Sequence, residues 1–478
     1  MARKSMASQF AMLTLEELLR DHLVHRLVTR LTGWLKRVPL DMDYLEFIIC
    51  QDLVVLDAIS TRLNVPQGIV DGLRDIYVMV CNVNRKETNI TVARTSGRVG
   101  RPKILIPKEH TLHLLDVGLS VATIAQLFGV SRRTLHRHTA QWGYTVQGSY
   151  SSLTDEELDS LVSEMHTSNP NAGYRMMKGL LKAQGHKVQW ERVRSSMHRV
   201  DTSSIVSRMP QLRFGVRRTF SVPSPKSLMH IDTNHKLVRY NIVIFGGIDG
   251  YSRKIMYLRA SNNNLASTTM AFFREAVEMF GIPLRVQGDH CVENVDVARF
   301  MFSVRGTGRS SFIAGKSSHN QRMERLWRDV FSTVTSRFHD TLHQLEEEGH
   351  LDLSSNLHIF SCHYAFIPLI QRQLDIFRDG WDDHPLRTEG NLSPNQLWQL
   401  NPSQECDEDV QIPLIDWDNS GLIPSEPNSG IAVPQIECPF TAAELAGLTA
   451  AVDPQTSSNL GVDNFFLTLD HMHNIGYV

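Results

Sequence analysis

The sequence predicts a multidomain α plus α/β protein in which helical modules precede a core built on a mixed five-stranded sheet flanked by helices. Three observations carry that expectation. The chain has 478 residues, too many for one core and about three domains by the usual length relation. Its apolar period is helical through the first half and becomes strand-like after Pro223-Ser224-Pro225. Three acids, Asp232, Asp289 and Glu324, stand 57 and 35 residues apart, the first two closing β-like apolar runs and the third one turn into a periodic helix.

Residues 1–90 read as helices, with a capping box at Thr14-Leu15-Glu16-Glu17 followed by Leu18, Leu19, Val24, Leu27 and Leu31. His22 and His25 form an HxxH with no paired cysteines after them, so no zinc module is expected. Residues 91–104 form a basic linker ending in Gly97-Arg98-Val99-Gly100-Arg101-Pro102-Lys103. Proline restricts the residue before it to extended backbone, which lets Arg101 lie in a narrow minor groove.

Residues 105–148 carry a helix-turn-helix pattern. Ser120 caps one helix, Ala125 is small enough for close helix approach, Gly129 supplies the turn, Ser131 caps the next helix and Leu135 packs inward. That second helix exposes Arg132, Arg133, His136 and Arg137, side chains suited to phosphates or to the acceptor edge of guanine. Residues 152–210 form a second unit of this kind, opened by the capping box Thr154-Asp155-Glu156-Glu157 and rich in Arg175, Lys178, Lys182, Arg192, Arg194 and Arg199.

Residues 224–400 form the core. Strands are expected at 228–232, 240–248 and 255–259, with Asp249 in the hairpin turn between the second and third. A helix at 265–280, a strand from 284 ending at Asp289, a helix at 295–304, a strand near 311–313 and a helix from Asn320 follow. The order βββαβαβα is that of a ribonuclease H-like fold, in which the first and fourth strands are neighbours and Asp232 meets Asp289. Glu324 lies at the edge of the stripe Met323, Leu326, Trp327, Val330, Phe331 and Val334, with Asn320 placed to cap the helix.

Paired carboxylates on adjacent strands and a facing helix suit two Mg²⁺ or Mn²⁺ ions in a phosphoryl-transfer site. Each acid alone has a plainer role: Asp232 ending a strand, Asp289 capping a helix, Glu324 pairing with Arg328. Their joint placement favours the metal site. Glu293 follows closely enough to orient the site as a supporting carboxylate. Lys316, Arg322 and Arg325, near the third acid, are candidate phosphate contacts.

The net charge of −2 conceals an asymmetry. Residues 401–478 contain no Lys or Arg and twelve acids, so residues 1–400, with 49 basic and 39 acidic residues, carry +10. A basic body suits a polyanionic partner, and the acidic tail is expected to lack packed structure. Six scattered cysteines without a CxxC pair argue against a disulfide framework, and no apolar run suggests a membrane span. A soluble intracellular protein is expected.

Residues from about 100 to 400 resemble the integrase core domain proteins, relatives of transposases and retroviral integrases. The resemblance rests on Ala172-Gly173-Tyr174-Arg175, His230-Ile231-Asp232-Thr233-Asn234-His235-Lys236, Gly246-Gly247-Ile248-Asp249-Gly250-Tyr251-Ser252-Arg253, Glu293-Asn294-Val295-Asp296, His319-Asn320-Gln321-Arg322-Met323-Glu324-Arg325-Leu326-Trp327 and His384-Pro385-Leu386-Arg387. It implies a DDE site made of Asp232, Asp289 and Glu324, DNA strand transfer to a 3′ hydroxyl or water, and self-association on double-stranded DNA. Two departures stand out: Thr233 and the loop Gly288-Asp289-His290-Cys291-Val292 replace positions where relatives usually have glycine. Two alternatives stay open, a domesticated DNA-binding protein without chemistry and a ribonuclease H-like nuclease acting on hybrids.

Overall fold

The computed structural model describes residues 24–25, 27–29, 32, 45, 49, 52–53, 56, 66–84, 94–95, 103–200, 222–289, 292–306, 311–315, 320–400, 433–434, 436 and 438–477. The chain divides into two units, residues 1–88 with 215–223, and residues 89–214 with 224–478. In the first, helix α1 (Gln67–Asn84) buries Leu73 and Val80, two turns apart on one face, in a cluster with Leu27, Leu45, Ile49 and Leu56. The Thr14 capping box lies outside the described residues.

The second unit begins with β1 (Arg94–Thr95) and β2 (Lys103–Ile104), paired antiparallel. Arg101 lies outside the described residues. Three short helices follow, α2 (Lys108–Asp116), α3 (Val121–Leu127) and α4 (Arg132–Gln141). Ser120 and Ser131 accept hydrogen bonds from the backbone N–H of Thr123 (3.0 Å) and Thr134 (3.1 Å), satisfying one orphan donor at the start of α3 and of α4. Gly129 turns between them at φ +59°, and Ile124, Ala125 and Leu135 are buried in their small core.

Helices α5 (Asp155–Ser168), α6 (Tyr174–Ala183) and α7 (Trp190–Val200) form the next module, with the Thr154–Glu157 capping box closed in both directions. Leu158, Val162, Met177, Leu181 and Val193 make its core.

The central sheet holds β3 (Met229–Asn234), β4 (Val243–Asp249), β5 (Ile255–Ser261), β6 (Val286–Asp289) and β7 (Phe312–Gly315) in the spatial order β5-β4-β3-β6-β7. The first three form an antiparallel meander, and β3–β6 and β6–β7 are parallel. The fold is thus the ribonuclease H-like one, with the first and fourth strands of the sheet side by side. At the β4–β5 hairpin the buried Asp249 accepts hydrogen bonds from the backbone N–H groups of Lys226, Tyr251 and Ser252 and from the Ser252 hydroxyl.

Alternation along the strands divides the core into two layers. Ile242, Ile244 and Ile248 pack with α10 (Gln321–Val330), its continuation through a π-turn at Phe331–Thr335 into α11 (Ser336–Glu347), and the 28-residue α12 (Asn356–Asp383). Met229, Ile231, Val243, Phe245 and Val286 pack on the other face, with α8 (Ala266–Phe280) and α9 (Val295–Arg305). A short helix α13 (Pro394–Leu400) follows α12.

The expectation of an unstructured tail is corrected beyond residue 438. Helices α14 (Ala442–Ala451) and α15 (Val462–Asn474) fold back onto α12, with Phe465 fully buried in the same cluster as Phe366 and Leu448 beneath Phe440 and Met472. The tail is acidic, but its apolar residues fall at helical spacing and find a ready partner in α12. Thr441 and Glu444 form a capping box there.

Candidate active site

Asp232 and Asp289 reach one face of the sheet by strand parity. Met229 and Ile231 belong to the layer of α8 and α9, so Asp232 between Ile231 and Thr233 points to the layer of α10. Val286 likewise fixes Gln287 and Asp289 on the α10 side. β3 and β6 are paired only at Met229–Val286 and His230–Gln287, and the two acids lie beyond that ladder at the carboxyl ends of parallel strands.

Asp232 is held in place from α10. Trp327 Nε1 donates to Asp232 Oδ2 at 2.9 Å, and Asn320 Nδ2 donates to the Ile231 carbonyl at 3.0 Å. Asn320 therefore pins the helix start to β3 instead of capping α10 with its side chain. The close approach of Trp327 depends on Gly246, the antiparallel partner of Asp232, because a Cβ there would stand 2.7 Å from the indole. Asp289 is oriented by Asn294, whose Nδ2 donates to Oδ1 at 2.8 Å.

The charge of Asp289 acts on Asp232. Burial and then the charge of Asp289 push the Asp232 carboxyl up to about 6, against the lowering effect of the Trp327 hydrogen bond. A buried carboxylate whose ionisation is resisted in this way, with a second carboxylate near it, is a group that a hard divalent cation would neutralise. Glu324 lies on α10 one turn after Asn320 and one turn before Trp327, and its side chain is exposed. Among the described residues no three His, Cys, Asp or Glu side chains are gathered into a group that would hold a metal ion. The structure brings Asp232 and Asp289 together and places Glu324 on the adjacent helix.

Beside this pair is a network built around Glu293. Thr233 Oγ1 donates to Glu293 Oε2 at 2.6 Å, His235 Nε2 lies 3.2 Å from Oε1, and Asn264 Nδ2 donates to Oε1 at 2.8 Å. Burial opposes ionisation of Glu293, but the hydrogen bonds from His235, Thr233 and Asn264 outweigh it and hold the carboxyl below its ordinary range. His235 is shifted upward, chiefly by its hydrogen bond to Glu293, with the charges of Glu293, Asp232 and Asp289 adding to the effect. Sequence reasoning reached Glu293 but missed Thr233, His235 and Asn264 as its partners; the nearest signal was the departure at Thr233, which supplies the hydroxyl.

That network makes a prediction. A raised imidazole pKa contributes stability that is complete below the ordinary value of 6.5 and lost as pH rises through the folded value. In Glu293→Gln, His235 is expected to titrate lower, back toward 6.5, when followed by NMR of its ring signals. An unchanged titration would show that Glu293 does not hold the imidazolium.

The expected DNA-facing cations sort into three groups. Arg132, Arg133, His136 and Arg137 are all exposed on α4. Arg325 is exposed and pairs with Asp329 at 3.0 Å. Arg322 departs from expectation: it turns inward, and burial followed by the neighbouring Arg253 pushes its guanidinium down to about 10, with Asp249 and Glu389 opposing. Helical phase is the reason, because Arg322 stands one turn before the fully buried Leu326 at the edge of the buried face of α10. Lys316 and the loop positions His290 and Cys291 lie outside the described residues.

A mixed sheet of this order with paired carboxylates at its parallel strand ends defines a ribonuclease H-like core. Residues 219–409 match the family model described as Integrase core domain. Protein uvp1 of Escherichia coli is 29% identical over 144 residues, covering 29% of this chain and 70% of that protein. A chain from the cryoEM structure of the simian T-cell lymphotropic virus intasome in complex with PP2A regulatory subunit B56 gamma aligns over 57% of this chain and 78% of its own length, at 10% identity and a TM-score of 0.28. No described helix is long and apolar enough to cross a membrane.

Proposed function

We propose that this protein is a transposon-derived integrase or transposase that cuts and joins DNA strands with divalent metal ions. The observation that carries the reading is the pairing of Asp232 and Asp289 at the carboxyl ends of neighbouring parallel strands, inside the segment that matches the integrase core domain and beneath the helix bearing Glu324. Asp232, Asp289 and Glu324 are the residues that would hold two Mg²⁺ or Mn²⁺ ions. Such ions, when bound, neutralise phosphate charge and activate the attacking oxygen.

The protein's own groups prepare the site for that chemistry. Trp327 and Asn294 each fix one oxygen of an aspartate, which orients both carboxylates at the strand ends. His235, whose protonation Glu293 and both aspartates favour, supplies a positive charge for a phosphate entering the site when it is protonated. The capped pair α3 and α4 acts as a helix-turn-helix, with Arg132, Arg133, His136 and Arg137 toward double-stranded DNA. Arg101, Lys316 and Arg325 add phosphate contacts, and copies of the chain associate on the DNA.

The test is joining of a labelled duplex with a free 3′ hydroxyl, measured with Mg²⁺, with chelator, and with Glu324→Gln as control. Joining that needs the metal and is lost in Glu324→Gln supports the enzyme. A second reading, a domesticated DNA-binding protein without chemistry, is favoured by one observation, the exposed Glu324 outside any described three-residue metal group. Full duplex binding with no joining under any metal would select that reading.

A further inference from the structure

The module of α5, α6 and α7 is basic in sequence, and its structure separates the cations that are satisfied from those that are not. Arg192 donates to Asp155 Oδ1 (2.6 Å) and to the Leu153 carbonyl (2.7 Å). Arg199 engages both carboxylate oxygens of Asp159 at 2.7 and 2.8 Å. Lys182 donates to Asp383 at 2.7 Å and to the Val117 carbonyl at 2.8 Å. These are internal fasteners.

Arg175, Lys178 and Lys187 differ. Among the described residues none of them forms an ion pair with an acid, and all three are half-buried. Aromatic rings take the place of carboxylates: the Arg175 guanidinium stands 5.7 Å and the Lys178 ammonium 5.5 Å from the centre of the Trp190 ring, while the Lys187 ammonium stands 5.8 Å from that of Tyr150. Arg175 also donates to Asn391 at 3.2 Å. Lys178 and Lys187 are both shifted downward, first by burial and then by the charge of Lys182, with Lys187 also acting on Lys178; Asp116 gives Lys187 a partial counterweight. Holding like charges together in partial burial costs free energy unless an anion completes the site.

We propose that Arg175, Lys178 and Lys187, framed by Trp190 and Tyr150, bind the phosphodiester backbone of double-stranded DNA. The inference rests on the reading of DNA as substrate, and adds a contact surface apart from both the strand-end aspartates and α4. Backbone recognition fits better than base stacking because the Trp190 ring already carries two cations. The contact is therefore independent of sequence and sensitive to salt.

Fluorescence anisotropy with the full chain and a labelled duplex of arbitrary sequence, titrated at salt concentrations from about 50 to 200 mM, tests it. In Lys178→Gln/Lys187→Gln the slope of log affinity against log salt is expected to become shallower by about 1.8, roughly 0.9 per lost phosphate contact. Lys178→Arg/Lys187→Arg should keep the original slope. If the double Gln variant melts early, Lys187→Gln alone gives the same reading with a change of about 0.9. An unchanged slope in a folded variant overturns this site and leaves the proposed function standing. A wild-type chain that binds no duplex overturns both, and an unchanged slope with lost binding of polyglutamate would assign the patch to an acidic protein partner instead.

Discussion

Asp232→Asn is expected to abolish metal-dependent DNA joining while making the metal-free protein more stable. The loss of activity should reach about 10³-fold or more, equivalent to roughly 4 kcal/mol of transition-state stabilisation. Asparagine preserves shape and can still accept from Trp327 Nε1, so the local packing around the strand end is kept. What disappears is the negative charge that would attract a cation. The gain in stability follows from the same charge. A carboxyl whose folded pKa lies near 6, above its ordinary 3.8, favours the folded state when protonated; that contribution is lost as pH rises from about 4 through about 6. Each tenfold change in proton affinity between the folded and unfolded chain is worth about 1.36 kcal/mol. Above pH 6, in chelator, the Asp232 charge therefore destabilises the fold by up to about 3 kcal/mol, and Asn removes that cost. Thermal melting with and without Mg²⁺ should show the variant melting higher in chelator and the wild type alone gaining from the ion. A variant that joins DNA at the wild-type rate would refute the assignment of the metal site.

The largest effect on stability away from the site is expected from Gly179→Ala. Helices α6 and α12 cross with their backbones nearly touching, and a Cβ on Gly179 would stand 2.1 Å from the carbonyl oxygen of Gly380 and 2.9 Å from the His384 nitrogen. Neither atom is the flexible end of a side chain. Alanine is otherwise the better helix former, by about 0.5–1 kcal/mol, so only the crossing can make the change unfavourable. Overpacking commonly costs about 1–3 kcal/mol, and a clash with backbone belongs at the upper end. A net loss of about 2 kcal/mol corresponds to a fall in Tm of roughly 2–3 °C for a unit of this size, at about 2.1 cal/mol/K of unfolding entropy per residue. Separation of α6 from α12 would also strain the Lys182–Asp383 ion pair. Gly173→Ala is the control, since nothing lies within 4 Å of a Cβ at that position. Equal melting of both variants would show that the crossing can relax.

Much of the architecture is legible in local pattern. The strand that ends at Asp289 and the apolar stripe of α10 follow from period and from apolar spacing, which act over a few residues. The helix caps at Ser120, Ser131 and Thr154 are equally local. Asn320 escapes such a reading because its amide has two possible targets, the helix start or the Ile231 carbonyl, and only the approach of α10 to β3 selects the second. The tail escapes it for a related reason. Composition weighs its acids, whereas folding weighs the area that Phe465 and Leu448 bury against other helices.

The sequence alone determined the order of elements and the chemical character of the three acids, because hydrophobic period and residue type are properties of neighbours in the chain. Only tertiary structure decided which groups share an environment. It set Thr233, His235 and Asn264 around Glu293, turned Arg322 inward, and, among the described residues, left Lys178 and Lys187 without an ion pair to an acid while Arg192 and Arg199 found theirs. Those pairings depend on contacts between residues tens of positions apart, where burial and Coulomb forces act through space and leave no periodic trace in the chain.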